Sequence, residues 1–274
     1  THPIAAVVEN TEQAETAFNG IVYAKGAAVL KQLFCLIGQE RFGQAAAKYF
    51  QKHAWGTATL DDFIDALKVM YKPQDASYPS SFQVWQQSWL ETPGLNSCRP
   101  KWNKDTNEIV IEQTSEHKIE TLRYHKMKLA IFDSEAKIIE IKDIVLQNKK
   151  ETIINYSRGL KNPAAVLLNY EDEAYIKVKL DLVSIKFFRN NLHKVDESLT
   201  KAIALRAFWD MVRDGEYSSI EFVKMICEML PKESNEATLS TLLKYADGGI
   251  KEYMPIRQRE EAYHSIFETV FKLL

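Results

Sequence analysis

Ile21-Val22-Tyr23-Ala24-Lys25-Gly26-Ala27, followed by Val29-Leu30 and then Ile37-Gly38-Gln39-Glu40-Arg41-Phe42, sets the pattern for the N-terminal third of the chain. Val22, Leu30, Leu33, Phe34 and Ile37 fall at helical intervals, which predicts one apolar stripe on a helix that stops at Gly38. A second helix is expected from Gln39 to His53, with Phe42, Ala46, Tyr49 and Phe50 on its buried side. Thr59, followed three residues later by Asp62, carries the signature of a capped third helix burying Phe63, Leu67 and Met70. Ser80 or Ser81 caps a fourth, bearing Phe82, Trp85, Trp89 and Leu90, and Pro93-Gly94 ends it.

After Pro100 the apolar period falls from about four to two. His125, Met127, Leu129 and Ile131 alternate with Tyr124, Lys126, Lys128 and Ala130, the signature of a strand. Similar pieces at 108–113, 137–144, 150–156 and 165–168 predict a small antiparallel sandwich with turns at Asp133-Ser134-Glu135 and Gln147-Asn148-Lys149. From about Glu173 the helical period returns. Helices are expected at 182–192, 197–213, 218–230, 237–245 and 258–274, a pattern like the start of a stacked helix-pair array. The fold class is thus α+β multidomain, with parts at 1–98, 99–180 and 181–274.

Composition bounds what these parts do. The chain has 274 residues, 46% of them apolar, and a formal net charge of -2. Scattered Lys and Arg give no footprint for a nucleic acid or an anionic membrane, and no apolar run approaches the length of a bilayer span. Cys35, Cys98 and Cys227 form no CxxC pair and are odd in number, which suggests a reducing, cytoplasmic setting rather than a disulfide framework. A first residue other than Met and an apolar run to Leu274 without a stop signal suggest that both ends are cut.

No complete catalytic kit stands in this sequence. HExxH, GxSxG, GxxxxGK and GxGxxG are absent, and no two of His2, His53, His117, His125, His193 and His264 have metal-ligand spacing on one helix. His117 and His125 lie on or near strands and can approach each other, but their expected role is as surface or half-buried strand residues. Asp61-Asp62 and Glu171-Asp172-Glu173 read as a helix start and a turn. Trp55, Trp85 and Trp89 read as core.

The blocks around Tyr23 resemble the aminopeptidase N family of zinc metallopeptidases, in which Y-x-K-G-A opens a helix and I-G-x-E-x-F follows. His2-Pro3, Tyr49-Phe50, His53-Ala54-Trp55-Gly56, Asp61-Asp62-Phe63 and Trp89-Leu90-x-Thr92-x-Gly94-x-Asn96 continue the pattern in order. The last of these, with Tyr175-Ile176-Lys177-Val178 and Arg206-Ala207-Phe208-Trp209-Asp210-Met211, is most similar to the bacterial branch.

The resemblance implies the helical end of a thermolysin-like catalytic domain, then a sandwich, then the beginning of a helical domain. It assigns Tyr23 as the catalytic residue that holds the oxyanion of the tetrahedral intermediate. A phenol suits that task, since it stays protonated near neutral pH and donates a hydrogen bond without adding a competing charge. The resemblance also implies one Zn2+, with HExxH and a later glutamate upstream of Thr1, so that the chain alone is expected to be inactive. Expected partners are peptides with a free N-terminus and the missing N-terminal half. Lys25 is expected to face solvent or a carboxylate, and Gly26 to allow close helix packing. The competing reading is a non-catalytic interaction module derived from an aminopeptidase.

Overall fold

In the computed structural model the described residues are 3–5, 10–17, 20–102, 106, 108–116, 120–157, 159–160 and 163–272. His2, Phe18 and His117 lie outside them. A short helix α1 (Thr11–Ala17) precedes a single π-helical turn, Ile21–Lys25, that runs directly into α2 (Gly26–Ile37). Gly38, at φ +92°, takes a backbone conformation that a side chain disfavours, and the chain bends by 117° into α3 (Gln39–Lys52). Then come α4 (Leu60–Lys68) and α5 (Phe82–Trp89). Thr59 caps α4 through a full capping box with Asp62, and Ser81 caps α5, both at positions the sequence marks.

These helices enclose Val29, Leu33, Leu36, Ile37, Leu67, Phe82, Trp85 and Trp89. The buried stripe of α2 therefore keeps Leu33 and Ile37 of the expected one but not Leu30 and Phe34. Leu30 and Phe34 are exposed and share a face with Tyr23 and Ala27, while Val29, Leu33 and Leu36 point inward. An α2 with two apolar stripes satisfies the same periodicity whichever stripe is buried. Phe50 is likewise exposed, and Ala45 takes the buried place on α3. Trp55 is wholly exposed at a loop tip and is not a core residue.

The β-region holds two sheets. One has the order β5 (Glu151–Asn155), β2 (Glu108–Ser115), β1 (Asn96–Trp102), β7 (Lys177–Val178). The other is β4 (Ile138–Leu146), β3 (His125–Asp133), β6 (Pro163–Tyr170). β1 and β7 were not anticipated. β1 carries Arg99, Pro100 and Lys101, a composition depleted in strand formers, and it runs across the expected boundary at residue 98. β7 is two residues long and pairs parallel to β1 at Ser97 and Cys98, so the sheet is not purely antiparallel. Pro100 lies beyond that short pairing, where a missing N–H is tolerated.

Five more α-helices follow: α6 (Leu182–Asn191), α7 (Ser198–Arg213), α8 (Ser219–Met229), α9 (Glu236–Gly248) and α10 (Ile256–Phe271). Asp181, Ser218 and Asn235 cap α6, α8 and α9. α7 is central, with Phe208 against Phe222 and Trp209 stacked on Tyr245 at 5.1 Å. Lys177 and Lys179 bridge Glu116, Asp214 and Glu216, tying the sandwich to the turn after α7. No single helix among the described residues is long and apolar enough to cross a membrane.

Gly248 packs under Trp209: a Cβ there would sit 2.9 Å from the indole Cη2. Because that ring is held between Tyr245 and the edge of Tyr253, it cannot swing aside freely. Gly248→Ala is expected to lower stability by about 1–2 kcal/mol despite the better helix propensity of alanine. Urea denaturation checks this, and a stabilised variant would contradict the tight contact.

Candidate active site at the Tyr23 turn

The π-turn gives Tyr23 and Lys25 opposite environments. The N–H of Gly26 is shared between the carbonyls of Ile21 and Tyr23, so the turn is one residue wider than an α-helical turn. Tyr23 projects outward and is 64% exposed. Lys25, two residues on, points inward and is only 5% exposed. It does not face solvent as expected. Gly26 does not serve close packing either, since a Cβ there would meet no atom within 4 Å.

The ground beneath the turn is a buried polar cluster joining the helices to the sandwich. Arg123 is fully buried and donates to Ser88 O at 2.7 Å, Pro93 O at 2.8 Å, Asn96 Oδ1 at 3.3 Å and Thr92 O at 3.4 Å. Its guanidinium also lies 5.0 Å from the Trp89 ring centre, a cation–π contact. Burial, countered in part by Tyr175, draws Arg123 down to about 10. α2 is fastened to the same region. Gln32 Oε1 accepts from Tyr175 N, and Lys126 reaches Cys35 O.

His125 is completely buried at the foot of β3, contrary to its expected surface or half-buried place. Gln113 Oε1 already accepts the Arg123 N–H, so it is the acceptor for His125 Nε2 at 3.1 Å as well. The ring meets Trp89 edge to face at 5.3 Å. Burial, and then Arg123, push the imidazole down to about 3. A base whose folded pKa lies below its unfolded one takes up its proton only by unfolding in the interval between. The chain therefore loses stability as pH falls from about 6.5 towards about 3. His125→Leu is expected to flatten that acid limb. Denaturant midpoints at about pH 4 and about pH 7 measure it, and an unaltered acid dependence would place the sensitivity elsewhere.

The remaining sequence candidates are structural. Asp62 caps α4, where its bonds to Thr59 hold its carboxyl below the ordinary range, and it lies 3.6 Å from His53. Glu171 and Glu173 both pair with Lys128. Trp85 and Trp89 are core. The burial of Lys25, Arg123 and Gln32 is not legible in the sequence, since a Lys, an Arg or a Gln gives no sign of burial in its sequence setting. Among the described residues no three His, Cys, Asp or Glu side chains converge as a metal's donor set. The described residues therefore do not make a zinc site by themselves.

Residues 1–85, which include this turn, match the Peptidase family M1 domain. The chain is 30% identical to aminopeptidase N of Streptomyces lividans over 95% of its own length and 31% of the relative's. It is 29% identical to tricorn protease-interacting factor F2 of Thermoplasma volcanium over 41% of the chain and 13% of that protein. The fold is similar to a crystal structure of Legionella pneumophila aminopeptidase A in complex with aspartic acid, at a TM-score of 0.62 and 16% identity, covering 94% of this chain and 31% of that one. The chain belongs to the aminopeptidase N family and spans about a third of the length of the Streptomyces relative. M1 aminopeptidases are zinc enzymes.

Proposed function

We propose that this chain is the C-terminal part of a zinc-dependent aminopeptidase that removes N-terminal residues from peptides. Residues 1–98 form the helical end of its catalytic domain, 99–180 its sandwich and 181–274 the beginning of its C-terminal helical domain. The zinc ligands lie upstream of Thr1, and the chain alone is inactive. Tyr23 donates its phenolic hydrogen to the oxygen that becomes negative as the peptide carbonyl turns tetrahedral. That interaction strengthens as charge develops and so lowers the barrier more than it tightens substrate binding.

The observation that carries this reading is the outward presentation of Tyr23, within the stretch that matches the M1 domain. The exposed face it shares with Leu30 and Phe34 is where the upstream half docks. A cytoplasmic location belongs to the same reading and rests on three cysteines without disulfide partners. The test is turnover of an aminoacyl anilide by the full-length polypeptide and its Tyr23→Phe variant, with zinc content measured in both. A large loss of turnover at equal zinc supports the reading, and near-normal turnover removes Tyr23 from the chemistry.

A further inference from the structure

Among the described residues, β4 is the strand that presents a long open edge. β7 and β5 have two and five residues, and β6 is covered by α6, whose Ser184 Oγ accepts the Val166 N–H at 3.0 Å. β4 runs nine residues, Ile138–Leu146, at the end of its three-stranded sheet. β3 pairs along one side of it. On the other side, among the described residues, no backbone group of Ile138–Leu146 meets another backbone group. Such a row of N–H and C=O groups is a template for one more strand. The middle of the row is apolar as well, since Ile141 is 48% exposed.

The order of charges along β4 says which strand fits. When a strand pairs antiparallel with its own copy about a two-fold axis, the residue at the axis faces itself and its neighbours exchange places. Directly opposite residues share a face of the sheet, so the axis passes through a residue and never between two. With the axis at Glu140, Lys142 or Asp143, that residue meets its own charge, which is unfavourable. With the axis at Ile144, Lys142 and Asp143 face Leu146 and Val145 and gain nothing. At Ile141 the isoleucines meet each other, and each Glu140 lies opposite the Lys142 of the other copy. A lysine on an edge strand ordinarily keeps other strands away. One position from the axis, Lys142 attracts instead. Glu140 accepts bonds from Ser157 N at 3.1 Å and Ser157 Oγ at 2.9 Å, which order its carboxylate. Ile139, skipped in the register with β3, lies outside the residues 140–142 that this pairing needs.

We infer that β4 pairs antiparallel with β4 of a second copy of this chain, centred on Ile141, so that two three-stranded sheets become one of six strands. The contact is narrow, one strand and a few side chains from each copy, which fits a reversible dimer rather than a permanent one. It is independent of the proposed activity and of the exposed face of Tyr23, Leu30 and Phe34.

Sedimentation equilibrium of the 274-residue chain is expected to show monomer and dimer exchanging, with a Kd of about 10–100 µM. Lys142→Glu sets two pairs of glutamates opposite each other, Glu140→Lys two pairs of lysines, and each is expected to weaken the dimer about tenfold or more. The two changes together put opposite charges back in place and are expected to restore the parent Kd to within about threefold. Ile141→Lys, at a half-exposed side chain, sets two ammonium groups at the axis and is expected to leave a monomer. Circular dichroism checks that each variant is folded. Should Glu140→Lys unfold by losing Ser157, Lys142→Glu and Ile141→Lys decide the matter without it.

A chain still monomeric at about 200 µM overturns the inference. So does a dimer that survives Lys142→Glu and Ile141→Lys, or a folded double variant that stays as weak as the single ones. Phe34→Glu controls for the other exposed apolar face: loss of the dimer there, with the β4 variants unaffected, places the contact on α2 and overturns the inference. The full-length polypeptide is expected to form the same dimer. If it is monomeric while residues 1–274 dimerise, the upstream part covers β4, and the assignment to a second copy is overturned.

Discussion

Replacing Trp89 with alanine is expected to lower the unfolding free energy of residues 1–274 by about 3–5 kcal/mol, the range for deleting a large buried aromatic. Trp89 has no exposed surface and stands where the helices meet the sandwich. Its ring meets His125 edge to face at 5.3 Å, approaches Tyr175 at 6.3 Å and accepts the Arg123 guanidinium on its face at 5.0 Å. Truncation leaves a cavity and also strips a buried cation of one of its contacts, so the two costs add. Trp89→Phe is the control. The indole N–H has no hydrogen-bond partner among the described residues, so losing it forfeits little, and a phenyl ring keeps both the edge contact and the face. That variant is expected to cost less than about 2 kcal/mol. Equilibrium urea denaturation decides the matter: an alanine variant losing under about 1 kcal/mol would mean that the junction is held elsewhere.

The second large effect concerns rate. On the proposed reading, Tyr23→Phe in the full-length enzyme lowers kcat about 10²-fold to 10³-fold, or about 2.7–4 kcal/mol of transition-state stabilisation, the range for removing one oxyanion donor. The change removes a single oxygen from a ring that is 64% exposed, so packing of the chain itself is little altered. Stability and zinc content are therefore expected to stay near the parent values while kcat falls, and KM moves far less than kcat. A variant that lost zinc or unfolded would instead report a structural role for the hydroxyl.

Much of the fold is legible in the sequence, because its signals are local. The Thr59 capping box, Ser81, Gly38 and the alternation through His125–Ile131 specify their elements from neighbouring residues alone, and the structure has each of them in place. What eluded the sequence depends on distant partners. β1 is a strand because β2 pairs along its whole length, not because Arg99, Pro100 and Lys101 favour one. The inner face of α2 is chosen by its packing against α3 and β3, which periodicity alone cannot identify. His125 is buried because Gln113 and Trp89, 12 and 36 positions away, close over it.

The site divides along the same line. The motif around Tyr23 is readable as a string, and the family match covers it. That Lys25 is buried follows from the packing of the helices and from nothing local. The π-turn is likewise invisible beforehand, since Gly20 and Gly26 bracket it without dictating a wider turn.

The most direct measurement of the central claim is the affinity of the full-length enzyme and its Tyr23→Phe variant for a phosphinic peptide, whose tetrahedral centre carries the negative oxygen that Tyr23 is proposed to hold. If the phenol acts on the transition state, the inhibition constant rises by about the same factor, 10²-fold to 10³-fold, by which kcat/KM falls, while the affinity of a planar product amino acid barely changes. Equal phosphinate affinity in the two enzymes would contradict the account.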